Sequence, residues 1–144
     1  MIRIAVIDGQ GGGIGTTIIR KIKEVYGERA EIWALGTNAI ATAQMMKAGA
    51  NRGATGENAI CHCAGQAEVI IGPVSILVAN AMMGELTPAM VRAIGTSPAP
   101  KLLLPLTQES VVVVGTLREP LPHMVERLVS EHLSIYIPPA ESAT

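Results

Sequence analysis

The chain opens with Met1-Ile-Arg-Ile-Ala-Val-Ile-Asp8-Gly-Gln-Gly-Gly-Gly-Ile-Gly-Thr-Thr17, and this stretch decides the fold. Residues 2–7 form a short run rich in apolar and β-branched side chains, which predicts a buried strand that Asp8 and Gly9 end. After the glycines, apolar residues recur at helical spacing as far as Val25, so we predict an amphipathic helix that ends near Gly27. A strand, a glycine-rich turn and a helix in this order begin a β-α-β unit.

The alternation of strands and helices continues to residue 95. We predict strands at Glu31–Leu35 and Glu68–Ile71, and a polar loop at Asn51–Gly56. We predict helices from an Asn38 cap through Lys47, from a Thr55 cap to about Gly65, and from Thr87-Pro88 to Gly95. Right-handed crossovers then give an α/β fold with a doubly wound, mostly parallel sheet and helices on both faces.

The last third of the chain is less regular. Two apolar runs, Lys101–Leu106 and Val111–Gly115, flank a short polar turn, and such a turn predicts an antiparallel strand pair near the C-terminus. Pro122 begins a last predicted helix, and Ile135–Ile137 is predicted to add an edge strand. We expect a single domain over residues 1–138 and a loose C-terminal tail over residues 139–144.

Composition excludes several classes of protein. The chain has 144 residues, 49% of them hydrophobic, yet no apolar stretch approaches the roughly 18–20 residues that span a bilayer, so we expect no membrane association. The net charge is −1 without a basic run, which disfavours a nucleic-acid surface. The only cysteines are Cys61 and Cys63, which favours a reducing, cytoplasmic location.

The excess of apolar residues has two explanations. Strands of a parallel sheet are buried on both faces, and a self-association surface would add further apolar area. Methionine can fill a core or line an interface, and both interpretations stay open for five methionines in two clusters. These are Met45, Met46, Met82, Met83 and Met90. We expect a homo-oligomer, most simply a homodimer.

The loop after the first strand carries five glycines between residues 9 and 15. Glycine lets a ligand approach the backbone without meeting a Cβ atom, and the following helix points unpaired N–H groups at the loop. A tight turn alone needs fewer glycines, so we expect backbone amides of residues 9–17 to hold a phosphate-bearing small molecule, with added hydroxyl donors from Thr16 and Thr17. The residues expected at this site are Asp8, Gly9, Gln10, Gly11, Gly12, Gly13, Ile14, Gly15, Thr16, Gly36, Thr37, Asn38, Thr55, Glu57 and Asn58.

Known phosphate-binding patterns fit this loop only in part. The dinucleotide fingerprint G-x-G-x-x-G fails because Ile14 stands where its third glycine belongs. The spacing of Gly9, Gly13 and Gly15 resembles the loop of short-chain dehydrogenases, but their Tyr with Lys four residues later is missing. The loop also resembles a Walker-type loop, but Thr16 replaces the required lysine. The cofactor is therefore unknown from sequence, with NAD(P) or another nucleotide as the candidates, and catalysis is disfavoured.

Several polar residues allow more than one role. Asp8 could hold Mg²⁺, accept from a ribose hydroxyl or brace the loop by accepting its N–H groups, and bracing is the interpretation we favour. Glu57 and Asn58 could cap a helix or face a ligand. For Cys61-His62-Cys63 we expect no metal site, because residues two apart on a helix point to opposite sides and a fourth ligand group is missing.

Five motifs extend along nearly the whole chain. They are Asp8–Gly15 (Asp-Gly-Gln-Gly-Gly-Gly-Ile-Gly), Ala34–Asn38, Lys47–Asn51, Gly53–Ile60 (Gly-Ala-Thr-Gly-Glu-Asn-Ala-Ile) and Gly84–Pro88. In these motifs the chain resembles a family of small bacterial proteins of unknown function with a Rossmann-like fold. The resemblance implies that fold and a bacterial origin, and it implies no activity.

Three functions stay open at this point. The first is a nucleotide- or phosphometabolite-binding protein without catalytic apparatus. The second is a small nicotinamide-dependent oxidoreductase that borrows groups from a partner subunit. The third is a structural or regulatory interaction subunit in which the glycine loop is vestigial.

Overall fold

A computed structural model describes residues 1–107 and 109–138 and contains one parallel sheet of five strands. The strands are β1 (Ile2–Asp8), β2 (Ala30–Gly36), β3 (Arg52–Thr55), β4 (Val69–Pro73) and β5 (Lys101–Leu104). Their order across the sheet is β3-β2-β1-β4-β5, and every neighbouring pair is parallel. The predicted doubly wound, Rossmann-like α/β fold is confirmed.

The sheet separates two apolar clusters, so helices cover both of its faces. The helices are α1 (Gly13–Tyr26), α2 (Ala39–Lys47), α3 (Glu57–Ala64), α4 (Pro88–Thr96) and α5 (Leu121–Arg127). Helices α1, α2 and α5 pack on one face, and α3 and α4 pack on the other. Strand β1 serves both faces, because Ile4 and Val6 join the first cluster while Ala5 and Ile7 join the second.

Two predicted helix caps are confirmed. The Asn38 side chain accepts a hydrogen bond from the amide of Ala41 at 2.9 Å and begins α2. Thr87 accepts from the amide of Met90 at 3.2 Å and begins α4, with Pro88 at the first helical position.

The predicted loop at Asn51–Gly56 is wrong in part, because Arg52–Thr55 forms β3. Within residues 1–107 and 109–138 this strand pairs only with β2 and lies at the sheet edge, so polar and small side chains replace the apolar run that marks a buried strand. Thr55 does not cap the next helix. Gly56 occupies the cap position with a φ of 96°, and no side chain caps the first turn.

The predicted antiparallel pair near the C-terminus is also wrong. Strand β5 is parallel to β4 and ends at Leu104, directly before Pro105, which has no amide for a ladder. Val111–Gly115 forms no strand, and the side chains of Val112 and Val114 are largely exposed.

The edge strand predicted at Ile135–Ile137 is replaced by helical turns. Helix α5 continues through a π-helical turn at Leu128–His132 and a 3₁₀ turn at Leu133–Ile135. Leu133 and Ile137 are both buried on the first face, four residues apart, so their spacing was helical rather than alternating. The tail predicted over residues 139–144 lies outside the described residues.

The five methionines differ in their exposure. Met45, Met82 and Met90 are buried in the core, whereas Met46 is partly exposed and Met83 is 98% exposed. In the described part of the chain, no helix has the length and apolar character to cross a bilayer.

Candidate functional site

The loop from β1 to α1 lies at the carboxyl edge of the sheet, where the strand order reverses. Strand β1 has β2 on one side and β4 on the other, and ligands of doubly wound sheets bind in the crevice beyond such a point. Thr37 follows β2, and its amide donates to the carbonyl of Asp8 at 3.0 Å. The ends of β1 and β2 are thereby tied together at the expected position.

Asp8 braces the loop from inside. Asp8 is only 3% exposed. Its two carboxylate oxygens accept hydrogen bonds from the amides of Gly9 at 2.8 Å and Gly15 at 2.7 Å. Burial raises the pKa of Asp8 above its ordinary value, while hydrogen bonds from the amides of Gly15, Gly9 and Ile14 oppose the increase. Of the three roles considered for Asp8, the structure displays the bracing role.

Three of the five loop glycines have packing reasons. A Cβ atom on Gly9 would lie 2.9 Å from Glu85 Oε1, and one on Gly15 would lie 3.1 Å from the Asp8 Cβ atom. Gly12 has a φ of +73°, and its Cβ would lie 2.9 Å from the backbone of Ala41. These three glycines are therefore required by the fold of the loop itself.

Gly11 and Gly13 have no such reason. Both are exposed, neither has a φ in the left-handed region, and a Cβ atom on either would meet nothing within 4 Å. Among the described residues, nothing accepts a hydrogen bond from the amide of Gly11 or Gly13. The loop therefore presents two free amides in open surroundings at the beginning of α1.

Other amides of the loop are paired within the chain. Gln10 donates to Glu85 Oε1 at 2.8 Å, Gly12 donates to the carbonyl of Gly9, and Thr16 donates to the carbonyl of Gly12. The expectation that residues 9–17 together form an anion cradle is thus too broad. The amides that can meet a ligand are those of Gly11 and Gly13.

The two threonines of the first turn differ. The Thr17 hydroxyl donates to the carbonyl of Gly13 at 3.0 Å and so is already engaged. The Thr16 hydroxyl is buried and has no hydrogen-bond partner among the described residues. Of these two threonines, Thr16 is the one whose hydroxyl has no partner among the described residues, and that hydroxyl is buried.

Glu85 is the residue that the sequence analysis missed. Its Oε1 atom accepts hydrogen bonds from the amide of Gln10 at 2.8 Å, the Thr37 hydroxyl at 2.6 Å and the Asn38 side-chain amide at 2.8 Å. The Asn38 amide also donates to the carbonyl of Gln10 at 2.9 Å, which closes the cluster. An acid from a distant loop therefore stands at the end of β2, beside the glycine loop.

The Glu85 carboxylate is held in its charged form. Burial works to raise the pKa of Glu85, but hydrogen bonds from Thr37, Gln10 and Asn38 outweigh burial and leave the pKa below its ordinary value. All the hydrogen bonds recorded for this carboxylate within residues 1–107 and 109–138 reach Oε1. Its second oxygen, Oε2, therefore has no hydrogen-bond partner among the described residues and is available as an acceptor.

The segment that carries Glu85 has an unusual backbone. Asn80, Met82 and Met83 have φ values of 66°, 57° and 56°, which residues other than glycine rarely adopt. Buried Ala81 and Leu86 anchor its two ends, and the amide of Leu86 donates to the carbonyl of Ala81 at 3.2 Å. Conformations of this kind persist where the surrounding structure enforces them, and they are frequent at functional sites. The sequence gives a weak signal for this turn, since Asn80 and Gly84 bracket two methionines.

The other predicted site residues are arranged around this cluster without joining it. Gly36 is buried, and the side chain of Thr42 fills the space beside it. Thr55 shares a hydrogen bond with the hydroxyl of Thr42 at 2.8 Å. Glu57 accepts from the Thr87 hydroxyl at 2.9 Å, and Asn58 is exposed.

Cys61, His62 and Cys63 do not converge. Cys61 donates to the carbonyl of Ala89, whereas His62 shares a hydrogen bond with the side chain of Gln66. Burial raises the pKa of the Cys63 thiol. Within the described residues, no group of three or more His, Cys, Asp or Glu side chains is placed to hold a metal ion.

A family model described as a domain of unknown function, DUF3842, matches residues 3–137. The chain belongs to the DUF3842 family. This membership confirms the resemblance drawn from the five motifs. No curated protein matches this DUF3842 chain. The arrangement of Asp8, Gly11, Gly13 and Glu85 must therefore be interpreted from its own chemistry.

Proposed function

We propose that this DUF3842 protein binds a nucleotide or another phosphate-bearing metabolite at the carboxyl edge of its sheet. The observation that carries the proposal is the pair Gly11 and Gly13, whose amides are free and whose surroundings are open. Glycine loses more conformational freedom on folding than any other residue. Neither packing nor backbone conformation requires a glycine at these two positions, whereas close approach of an anion to the beginning of α1 does.

The proposed role is binding rather than catalysis. Anionic ligand oxygens would accept hydrogen bonds from the amides of Gly11 and Gly13, where the α1 dipole also favours negative charge. Asp8 would stay out of contact, because its oxygens are occupied by the loop. The two cysteines are both free thiols, which agrees with the reducing bacterial cytoplasm that we propose as its location.

A thermal-shift screen tests the proposal directly. The purified protein is heated with NAD(H), NADP(H), ATP, GTP and sugar phosphates, and mass spectrometry examines it for a co-purified ligand. We expect at least one phosphorylated compound to raise the melting temperature, because a ligand that binds only the folded state stabilises it by mass action. The absence of any shift, together with the absence of a co-purified phosphate compound, would contradict the proposal.

We further propose that the protein forms a homodimer. The segment after β5 exposes large apolar side chains: Val112 is 85%, Val114 91% and Leu117 77% exposed. This segment does not join the sheet of its own chain. Strand β5 pairs with β4 alone, so one of its edges is unpaired within the described residues. A β-branched run and an unpaired strand edge can cover each other between two copies.

The double variant Val112→Asp with Val114→Asp is expected to convert the dimer to a monomer with little loss of stability. Both side chains are exposed in one copy, so the charges would be buried only in the dimer. Sedimentation velocity at micromolar concentration measures the change, with Val25→Asp on α1 as the matched control. A monomeric wild-type protein, or a variant that remains dimeric, would refute this surface.

A further inference from the structure

We infer that Glu85 selects a ligand with a free ribose diol, so that the ligand is a ribonucleotide rather than a general phosphate. This inference rests on the proposed function, since it concerns the same site. The geometry that carries it is the position of the Glu85 carboxylate between Gln10, Thr37 and Asn38. Oε1 accepts three hydrogen bonds, and Oε2 accepts none from the part of the chain that the structure describes.

The chemistry of the cluster distinguishes Glu85 from an anion-binding group. An ionised carboxylate only accepts hydrogen bonds, so Oε2 can receive a hydroxyl or an amine but repels a phosphate. The three donors on Oε1 fix the orientation of the carboxylate before any ligand arrives. Because Oε2 keeps two lone pairs, this preorganised acceptor can receive both hydroxyls of a vicinal diol.

The position of Glu85 places a sugar and a phosphate side by side. Gln10, whose amide binds Glu85, precedes Gly11, whose amide is free. A ligand that spans both groups therefore needs hydroxyls at one end and an anion at an adjoining position, as in a nucleoside 5′-phosphate. In doubly wound sheets an acid close to the end of the second strand commonly binds the ribose 2′-hydroxyl. Here Gly36 and Thr37 stand at that end, and Glu85 supplies the acid from the loop before α4.

Two matched pairs of probes test the inference. ADP and its 2′,3′-dideoxy analogue differ only in the two hydroxyls, and NAD⁺ and NADP⁺ differ only in a 2′-phosphate. Their dissociation constants are measured by calorimetry for the wild type, for Glu85→Gln and for Glu28→Gln. Glu28 is a suitable control because its side chain is 88% exposed and forms one weak ion pair in the described part of the chain, with Lys23 at 4.0 Å.

We expect the wild type to bind ADP about tenfold or more tightly than dideoxy-ADP, as for loss of a hydrogen bond to a charged group. The wild type should likewise bind NAD⁺ more tightly than NADP⁺. In Glu85→Gln both preferences should shrink by about tenfold, while dideoxy-ADP binding does not weaken and Glu28→Gln behaves as the wild type. Circular dichroism spectra establish that each variant is folded.

The contrary outcomes separate the inference from the proposed function. If sugar phosphates bind but ADP and NAD⁺ do not, the site binds phosphate and the ribose inference is overturned. If Glu85→Gln tightens every phosphorylated probe equally, the carboxylate obstructs the site rather than reading a diol, which also overturns the inference. If no phosphorylated compound binds the wild type, the proposed function falls and the inference falls with it.

Discussion

Replacing Gly13 with valine is expected to remove most of the stabilisation by the phosphorylated ligand while leaving the free protein folded. With ligand at about one hundred times its dissociation constant, the wild type should gain about 2.7 kcal/mol, or about 5–10 °C in melting temperature. The valine side chain would cover the free amide and fill the space that the anion needs. We expect the dissociation constant to rise by about 30-fold or more, as for loss of a charge-assisted hydrogen bond.

Gly13 suits this test because the fold does not depend on its missing side chain. A Cβ atom there meets nothing within 4 Å, and valine is a better helix former than glycine, so the ligand-free melting temperature should stay the same or rise slightly.

Gly65→Val is the matched control. Gly65 has a φ of −78°, and a Cβ there also meets nothing within 4 Å, but it lies at the C-terminal end of α3. Undiminished ligand binding by Gly13→Val would contradict the assignment of this amide. Equal loss in both variants would point to a general effect of valine on the protein.

The central fold could be predicted because its signals are local. The run at residues 2–7 and the caps at Asn38 and Thr87 each determine a neighbouring element without help from distant residues. Errors fall where tertiary context decides. Strand β3 has an edge-strand composition, and its existence depends on pairing with β2. The valine run at residues 111–114 has strand propensity, but it does not join the sheet of its own chain.

Only the part of the candidate site that lies in one continuous stretch of sequence could be predicted. The glycines between Asp8 and Gly15 predict a loop without help from distant residues. Bracing by Asp8 could also be predicted, because its carboxylate directly precedes the backbone N–H groups of that loop. The role of each glycine could not be predicted from the sequence. Three of the five are required by neighbours such as Ala41 and Glu85, which lie far away in sequence.

Glu85 was missed for the same reason. It is separated from Gln10 by 75 residues and from Asn38 by 47, and nothing near Glu85 in the sequence marks it as an acceptor for those donors. Only the crossover connections bring the loop before α4 to the end of β2. A search restricted to acids at the end of the second strand therefore finds none.

Replacing Asp8 with alanine is expected to lower the free energy of unfolding by about 3 kcal/mol, because the amides of Gly9 and Gly15 would lose their acceptor inside the protein. This corresponds to a fall of about 6–12 °C in melting temperature for a chain of this size. Chemical denaturation of the ligand-free protein measures it. Asp8→Asn should be intermediate, since its oxygen can accept from one amide while its nitrogen faces the other. A change under about 0.5 kcal/mol, as is usual for surface substitutions, would show that Asp8 does not brace the loop.

The pH dependence of stability, compared between the wild type and Asp8→Asn, tests the environment of the Asp8 carboxyl group. Burial raises the folded-state pKa of Asp8 above its reference value of 3.8, so the folded protein binds more protons than the unfolded chain between the two values. The stability of the wild type relative to Asp8→Asn should therefore increase as the pH falls from above the folded-state pKa towards 3.8. Other carboxylates contribute equally to both proteins and cancel in the difference. A difference that decreases over this range would mean that hydrogen bonds from the loop amides dominate over burial, and that Asp8 is held as a permanent anion beneath the ligand site.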